Sequence, residues 1–215
     1  MKERGMIFNA EMARAILDGR KTQTRRPFKW KQTRFTEIAE RDDGSLWPWA
    51  EDCERGGDIW FACPYGEIGD RIWVRETFRV HSRATDVATL VYRASVRNSW
   101  TEQTHRVPIA VCDKQATPEK WTPSIHMPRW ASRITLEITD VRVERLNDIR
   151  ECDAIAEGAP PSHPSIDRVS QEYGFPDFSR SWFGQTWQNI YGEESWAANP
   201  WVWVIEFKRV EGGAA

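Results

Sequence analysis

The stretch from Gly19 to Arg26 carries a dense set of side chains able to do chemistry. It reads Gly-Arg-Lys-Thr-Gln-Thr-Arg-Arg, so ammonium, guanidinium, hydroxyl and amide groups follow one another with no apolar residue between them. Groups of these types hold anions, hydrogen-bond nucleobases or take part in acyl transfer. A solvated basic turn has the same composition, and residue types alone do not separate the two interpretations.

The neighbouring elements place this stretch at a helix-to-strand junction. Asn9 is a suitable N-cap, and the apolar face that follows predicts a helix over Ala10 to Asp18. Gly19 stands where a helix end favours a residue with positive φ. Pro27 disfavours helix before it, so Thr22 to Arg26 is predicted to be extended. Side chains at such a junction lie at the rim of a sheet, where sites are commonly placed.

The rest of the sequence predicts more strands than helices. Apolar alternation predicts strands over Asp58 to Ala62, Arg71 to Phe78, Thr89 to Arg93, Ser132 to Leu146 and Trp201 to Val210. Helices are predicted over Asp148 to Glu157 and Ser179 to Tyr191. Residues 28–57 are predicted to be irregular, with Trp47 and Trp49 in a loop, and Pro160, Pro161 and Pro164 mark another loop. Irregular connections between strands indicate an α+β fold, a small mixed β-barrel with flanking helices.

Composition sets limits on partners. The net charge of −2 over 215 residues excludes a uniformly basic nucleic-acid coat protein. The start of the chain lacks the apolar run of a secretory signal, and no stretch is apolar enough to span a membrane, so we expect a cytoplasmic protein without a membrane partner. Thirteen tryptophans are an unusual number. They serve either as core residues or as surfaces on which bases stack.

The stretch Ile16 to Arg26 resembles the signature of the ASCH domain, a relative of the PUA fold. The common form of that signature is Gly-x-Lys-x-x-Glu-x-Arg; Gly19, Lys21 and Arg26 match it, and Thr24 replaces the Glu. The version with Thr resembles small bacterial ASCH enzymes that hydrolyse N4-acetylcytidine to cytidine and acetate. Further similarity covers about half of the chain.

The resemblance implies a single ASCH/PUA-like domain over residues 1–215, with insertions at 28–57 and 79–130 like those of long phage and prophage members. It also implies an amidohydrolase whose catalytic set is Lys21, Thr24 and Glu157, with Glu151 as a nearby competitor for the third position. The substrate would be an N4-acylated cytosine, as nucleoside or free base.

Two catalytic schemes are compatible with these three residues. Thr24 is the nucleophile if a neutral Lys21 removes its proton, which requires burial or a neighbouring cation to lower the pKa of Lys21. Otherwise Glu157 activates water or protonates the leaving amine, and charged Lys21 holds the oxyanion. Residues three apart in a regular strand point to opposite faces. Lys21 and Thr24 therefore converge only if Lys21 belongs to the turn after Gly19 or the strand bulges.

Three further residues are predicted to contact the substrate. Arg26 completes the signature, Glu76 is a charge inside an apolar strand, and His126 lies in a mixed polar and aromatic loop. Glu76 has an equally good interpretation as one half of an ion pair across a sheet. No metal-ligand spacing and no phosphate-binding glycine loop occur, so we expect neither a metal nor a cofactor.

Two other functions stay open at the level of sequence. The chain could be a PUA-like module that binds RNA, modified DNA or a modified base without catalysis, with aromatic residues around a flipped base. It could also be a ribonuclease, for which divalent-metal dependence would be diagnostic.

Overall fold

The computed structural model describes residues 1–28, 37–52, 54, 56–95, 104–162 and 164–210. The chain divides into two compact units. The first comprises Met1–Gly19, Asp70–Glu137 and Lys208–Ala215, and the second comprises Arg20–Gly69 and Ile138–Phe207.

Strands and helices are both present in the described residues, which confirms the α+β class. The strands are β1 Glu3–Ile7, β2 Gln23–Pro27, β3 Glu37–Glu40, β4 Leu46–Glu51, β5 Asp58–Trp60, β6 Arg71–Arg75, β7 Phe78–Arg83, β8 Val87–Tyr92, β9 Thr104–Pro108, β10 Thr135–Arg145 and β11 Trp201–Arg209. The α-helices are α1 Ala10–Leu17, α2 Glu151–Ala156, α3 Pro164–Glu172, α4 Phe178–Tyr191 and α5 Glu193–Ala197. None of the helices in the described ranges is long and apolar enough to cross a membrane.

The first unit is built on two sets of paired strands. β1 pairs in parallel with β6, and β6 pairs antiparallel with the first residues of β10. β7, β8 and β9 form an antiparallel meander. Its core includes Phe78, Leu90, Tyr92 and Met127, all buried. Helix α1 starts as predicted, because Asn9 accepts a hydrogen bond from the Met12 N–H at 2.8 Å.

The second unit contains the Gly19-to-Arg26 stretch from Arg20 onward. β11 lies between β10 and β2, and it pairs antiparallel with β2. A separate antiparallel sheet has the order β3-β4-β5. The apolar faces of α2 and α4 pack with β11 in a core that includes Leu146, Ile149, Phe183, Trp187 and Val204. β2 pairs with β11 and contacts α2 through the hydrogen bond from Gln23 to the Asp153 carbonyl.

Three of the secondary-structure predictions were wrong in part. Residues 37–51 are not irregular: β3 and β4 form a hairpin, and both Trp47 and Trp49 lie in β4. The predicted strand from Arg71 to Phe78 is two strands, since β6 ends at Arg75. Pro164 begins helix α3 rather than marking only a loop, because proline is well tolerated in the first turn of a helix. The other predicted elements agree with the structure to within about three residues.

Close strand packing in the first unit requires a glycine at position 5. A Cβ atom on Gly5 would lie 2.5 Å from Cζ2 and 2.7 Å from Cε2 of Trp73, its partner on β6. We therefore expect Gly5→Ala to lower the free energy of unfolding by about 1–3 kcal/mol, as overpacking does. Urea denaturation measures this loss of stability. In a Trp73→Leu background the same change should cost clearly less, and an equal loss in both backgrounds would contradict the clash.

Candidate functional site

Lys21 lies in the turn between Gly19 and the first residue of β2, as the convergence argument requires. Gly19 has φ of +75°, and the strand begins only at Gln23. The Lys21 side chain has no exposed surface. Its Nζ donates to Oε2 of Glu157 at 2.6 Å and to the Glu157 carbonyl oxygen at 2.8 Å. Two residues predicted from distant parts of the sequence thus form a buried ion pair.

Glu157 follows the last residue of α2, and the structure separates it from its competitor. The Glu157 side chain is 4% exposed, whereas Glu151 lies on the exposed side of the helix. Burial lowers the pKa of Lys21 below its ordinary value, and the charge and hydrogen bond of Glu157 oppose that shift. Arg25 and Arg26 add to the lowering.

The same turn also supplies hydrogen-bond donors to the carbonyl groups at the end of helix α2. The Thr22 N–H donates to the Ala156 carbonyl at 2.8 Å, and the Arg20 guanidinium donates to the Gly158 carbonyl at 2.8 Å. With the bond from Lys21, successive carbonyls at the negative end of the helix receive donors from one segment. Part of the role of this segment is therefore structural.

Arg25 extends the ion pair into a network. Its side chain is completely buried and lies 2.8 Å from Glu144, 3.4 Å from Glu157 and 3.6 Å from Asp153. Gln23, two residues earlier on β2, donates to the Asp153 carbonyl at 3.0 Å. The side chains of Gln23 and Arg25 thus point to the same side of the strand, toward α2 and β10.

Arg142 of β10 forms the outer part of the network, and the sequence analysis did not single it out. It contacts Glu144 at 2.6 Å and Asp153 at 3.2 Å, and it also pairs with Asp140 and Glu206. Burial alone would lower the pKa of Arg142, but Glu144 and Glu206 outweigh burial and raise it. The signal was available: Asp140, Arg142 and Glu144 are spaced by two, which puts them on one face of a strand.

Thr24 and Arg26 lie on the other face of β2 by strand alternation. Thr24 is buried opposite Ile205 of β11. Within the described part of the chain, no hydrogen bond joins Thr24 to Lys21 or Glu157. Arg26 donates to the Tyr191 hydroxyl at 3.4 Å. The structure therefore brings Lys21 and Glu157 of the predicted catalytic set together. Thr24, the third member, faces the opposite side of β2.

The remaining two predicted residues, Glu76 and His126, belong to the first unit. Glu76 is buried and receives two hydrogen bonds from Arg133, at 2.9 and 3.1 Å. Arg133 in turn stacks 4.0 Å from the ring centroid of Tyr92. Glu76 is thus one half of a buried ion pair. His126 is exposed in the short 3-10 turn Ser124–His126.

A cavity of about 690 Å³ lies in the second unit, beside the outer end of the network. Its walls include Trp47, Trp60, Cys63 and Arg41, and Asp140, Val141 and Arg142 of β10 complete one side. Lys21, Thr24 and Glu157 are not among its lining residues. Asp140 and Arg142 are therefore shared by the cavity and the network.

No cluster of three or more His, Cys, Asp or Glu side chains able to hold a metal occurs among the residues that the structure describes. His163 and Cys53 lie outside those residues. Cys112 and Cys152 are free thiols.

Comparison with solved structures returns an ASCH domain. The crystal structure of an ASCH domain from Lactobacillus crispatus JV V101 is similar to 97% of this chain and 79% of that chain, at 13% sequence identity and a TM-score of 0.35. No protein-family model and no curated protein matches the sequence. The ASCH and PUA-like assignment stays a prediction from the sequence.

Removing one partner of the buried pair should destabilise the fold strongly. Lys21→Met leaves Glu157 buried with only Arg25 nearby, and we expect a loss of about 3–5 kcal/mol in the free energy of unfolding, measured by urea denaturation. Arg129→Ala is the control, because it breaks an exposed pair with Glu3 and should cost about 1 kcal/mol or less. Similar losses in the two variants would contradict the buried-pair argument.

The lowered pKa of Lys21 also predicts a dependence of stability on pH. Between that lowered pKa and the ordinary value of 10.5, the unfolded chain binds a proton that the folded chain does not. The free energy of unfolding attributable to Lys21 should therefore rise with pH across this window. The measurement is the difference between wild type and Lys21→Met in unfolding experiments at several alkaline pH values. A difference that stays constant or falls with pH would contradict the shift.

Proposed function

We propose that this protein hydrolyses the acyl group from N4-acylated cytosine, as nucleoside or free base. The observation that supports the proposal is the buried contact of 2.6 Å between Lys21 and Glu157, residues 136 positions apart in the chain. Both were assigned catalytic roles by the resemblance to the small amidohydrolases. Their pairing gives one site a carboxylate able to accept a proton and an ammonium able to stabilise negative charge.

The pair is suited to general base catalysis with water as the nucleophile. The Glu157 carboxylate takes a proton from water, and the water oxygen bonds to the acyl carbon. The Lys21 ammonium stabilises the oxyanion that forms, which replaces the negative charge lost when Glu157 is protonated. The C–N4 bond then breaks while Glu157 returns the proton to the departing amine. The products are a carboxylic acid and the cytosine amine.

The scheme with Thr24 as nucleophile requires a proton acceptor within hydrogen-bond reach of its hydroxyl. Lys21 and Glu157 lie on the side of β2 that Gln23 and Arg25 face, and Thr24 faces the other way. The geometry therefore favours Glu157 as the base and water as the nucleophile, with Thr24 and Arg26 outside the proton transfer.

The direct test is release of cytidine from N4-acetylcytidine by purified protein. Glu157→Gln keeps the shape of the side chain and removes the base, so kcat/KM should fall by about 100-fold or more. Gln23→Met is the matched control, since it changes a buried neighbour on the same strand that is not in the proposed mechanism. Circular dichroism verifies folding of each variant. Absence of turnover by the wild-type protein would refute the proposal.

Variants of Thr24 separate the two schemes in the same assay. If water is the nucleophile, Thr24→Ala should retain turnover within about tenfold of wild type. Loss of turnover in Thr24→Ala that is restored in Thr24→Ser would instead assign the nucleophile to the Thr24 hydroxyl.

A second function, binding of a modified base without catalysis, is favoured by one specific observation. Lys21 has no exposed side-chain surface, and the cavity with aromatic walls is lined by other residues. Binding of N4-acetylcytidine by wild type without release of acetate would select this function.

A further inference from the structure

Three tryptophans share one face of the sheet formed by β3, β4 and β5. Trp49 is directly opposite Trp60 in the antiparallel register, and Trp47 precedes Trp49 by two residues on the same strand. Directly opposed residues and residues two apart project from the same face. All three side chains are half-buried. Part of the tryptophan excess is thus concentrated on one small surface.

The guanidinium of Arg41 lies against this surface within the cavity. Its central carbon is 4.2 Å from the ring centroid of Trp47 and 5.2 Å from that of Trp60. Among the described residues, Arg41 makes no side-chain hydrogen bond and no ion pair, so ring contacts are what hold it. The indole walls therefore accommodate a planar, delocalised group by stacking.

The charge around the cavity selects against phosphate. Residues 37–69 contain nine Asp and Glu against two Arg. Asp43, Glu67 and Asp140 line the cavity directly. The second cation in the wall, Arg142, is already shared by Asp140, Glu144, Asp153 and Glu206. Three carboxylates and two guanidiniums line the cavity, so its wall is net negative and disfavours a ligand that carries a phosphodiester.

We propose that this cavity is the binding site for a planar heteroaromatic ligand without phosphate, a nucleoside or free base, which stacks on Trp47 and Trp60 in the place that Arg41 now occupies. A volume of about 690 Å³ is within the range of small-molecule sites. The carboxylates of Asp43 and Asp140 can accept hydrogen bonds from ring N–H or amino groups. The identification of this ligand as the substrate rests on the proposed function. The assignment of the cavity as a binding site does not depend on that function.

Binding is measured by isothermal titration calorimetry on the full chain carrying Glu157→Gln, in which turnover should be slower by about 100-fold or more. The probes are N4-acetylcytidine, cytidine, cytidine 5′-monophosphate and a short single-stranded RNA. We expect the nucleosides to bind, and the monophosphate and RNA to bind about tenfold more weakly or not at all. The difference should shrink as salt is added, because screening weakens repulsion between exposed charges.

Side-chain variants locate the site. Trp60→Leu should weaken nucleoside binding about tenfold or more by removing a stacking surface. Trp121→Leu is the matched control: Trp121 is also half-buried and stacked with an arginine, Arg79 at 4.7 Å, but it lies outside the cavity. Arg41→Ala should tighten binding by about two- to fivefold, because the ligand no longer displaces a stacked cation.

Neutralising two carboxylates of the cavity wall tests separately whether their charge disfavours a phosphate group. Asp43→Asn combined with Glu67→Gln should narrow the gap between nucleoside and monophosphate by about fivefold. Asn at position 43 can still accept the hydrogen bond that Asp43 receives from the Ser45 N–H at 2.9 Å, so the turn is preserved.

Several results would overturn the inference. They are binding of the monophosphate or RNA as tightly as the nucleoside, unchanged binding in Trp60→Leu, and weaker binding in Arg41→Ala. Nucleoside binding with no turnover by wild type would leave the cavity assignment intact and remove the hydrolase. Turnover by Trp60→Leu with an unchanged KM would leave the hydrolase intact and remove the cavity assignment.

Discussion

Two completely buried cations, Lys21 and Arg25, impose the strongest constraint on the second unit. A buried charge without a partner costs several kcal/mol, so the fold must bring carboxylates to both side chains. Glu157 comes from the end of α2, and Glu144 comes from β10. Neutralising these cations thus ties three separate pieces of chain together, and it does so at the same place where the proposed chemistry requires an ammonium and a carboxylate.

The local sequence predicted the elements around this site well, but not the network itself. Helix α1, the extended stretch at β2 and the final strand β11 were predicted because capping residues and apolar alternation are local signals. The pairing of Lys21 with Glu157 was reached only through family resemblance, since no local pattern joins residues so far apart. Arg142 was missed although a local pattern was visible, because Asp140 and Glu144 lie two residues to either side of it.

The hairpin of β3 and β4 shows a different reason for failure. Pro48 in the middle of a run argues against a strand, because proline cannot donate to the ladder. In the structure, Pro48 lies on the central strand of the small sheet, opposite Ile38, and its carbonyl accepts from the Phe61 N–H at 3.0 Å. The carbonyl is the one backbone hydrogen-bonding group of a proline, and here it is used. A turn at residues 41–45, with Gly44 at φ of +79°, closes the hairpin.

The spacing of Asp140, Arg142 and Glu144 has a consequence for folding fidelity. The opposite face of β10 carries Val141 and the buried Val143. Sliding this strand by one residue would turn the valines toward the cations of β2 and leave Arg25 facing methyl groups. An apolar strand can tolerate such a slip at a modest cost in free energy. A strand whose charged side chains each have a partner of opposite charge cannot. The ion network therefore disfavours a misaligned sheet, because misalignment leaves buried charges unpaired in addition to packing poorly.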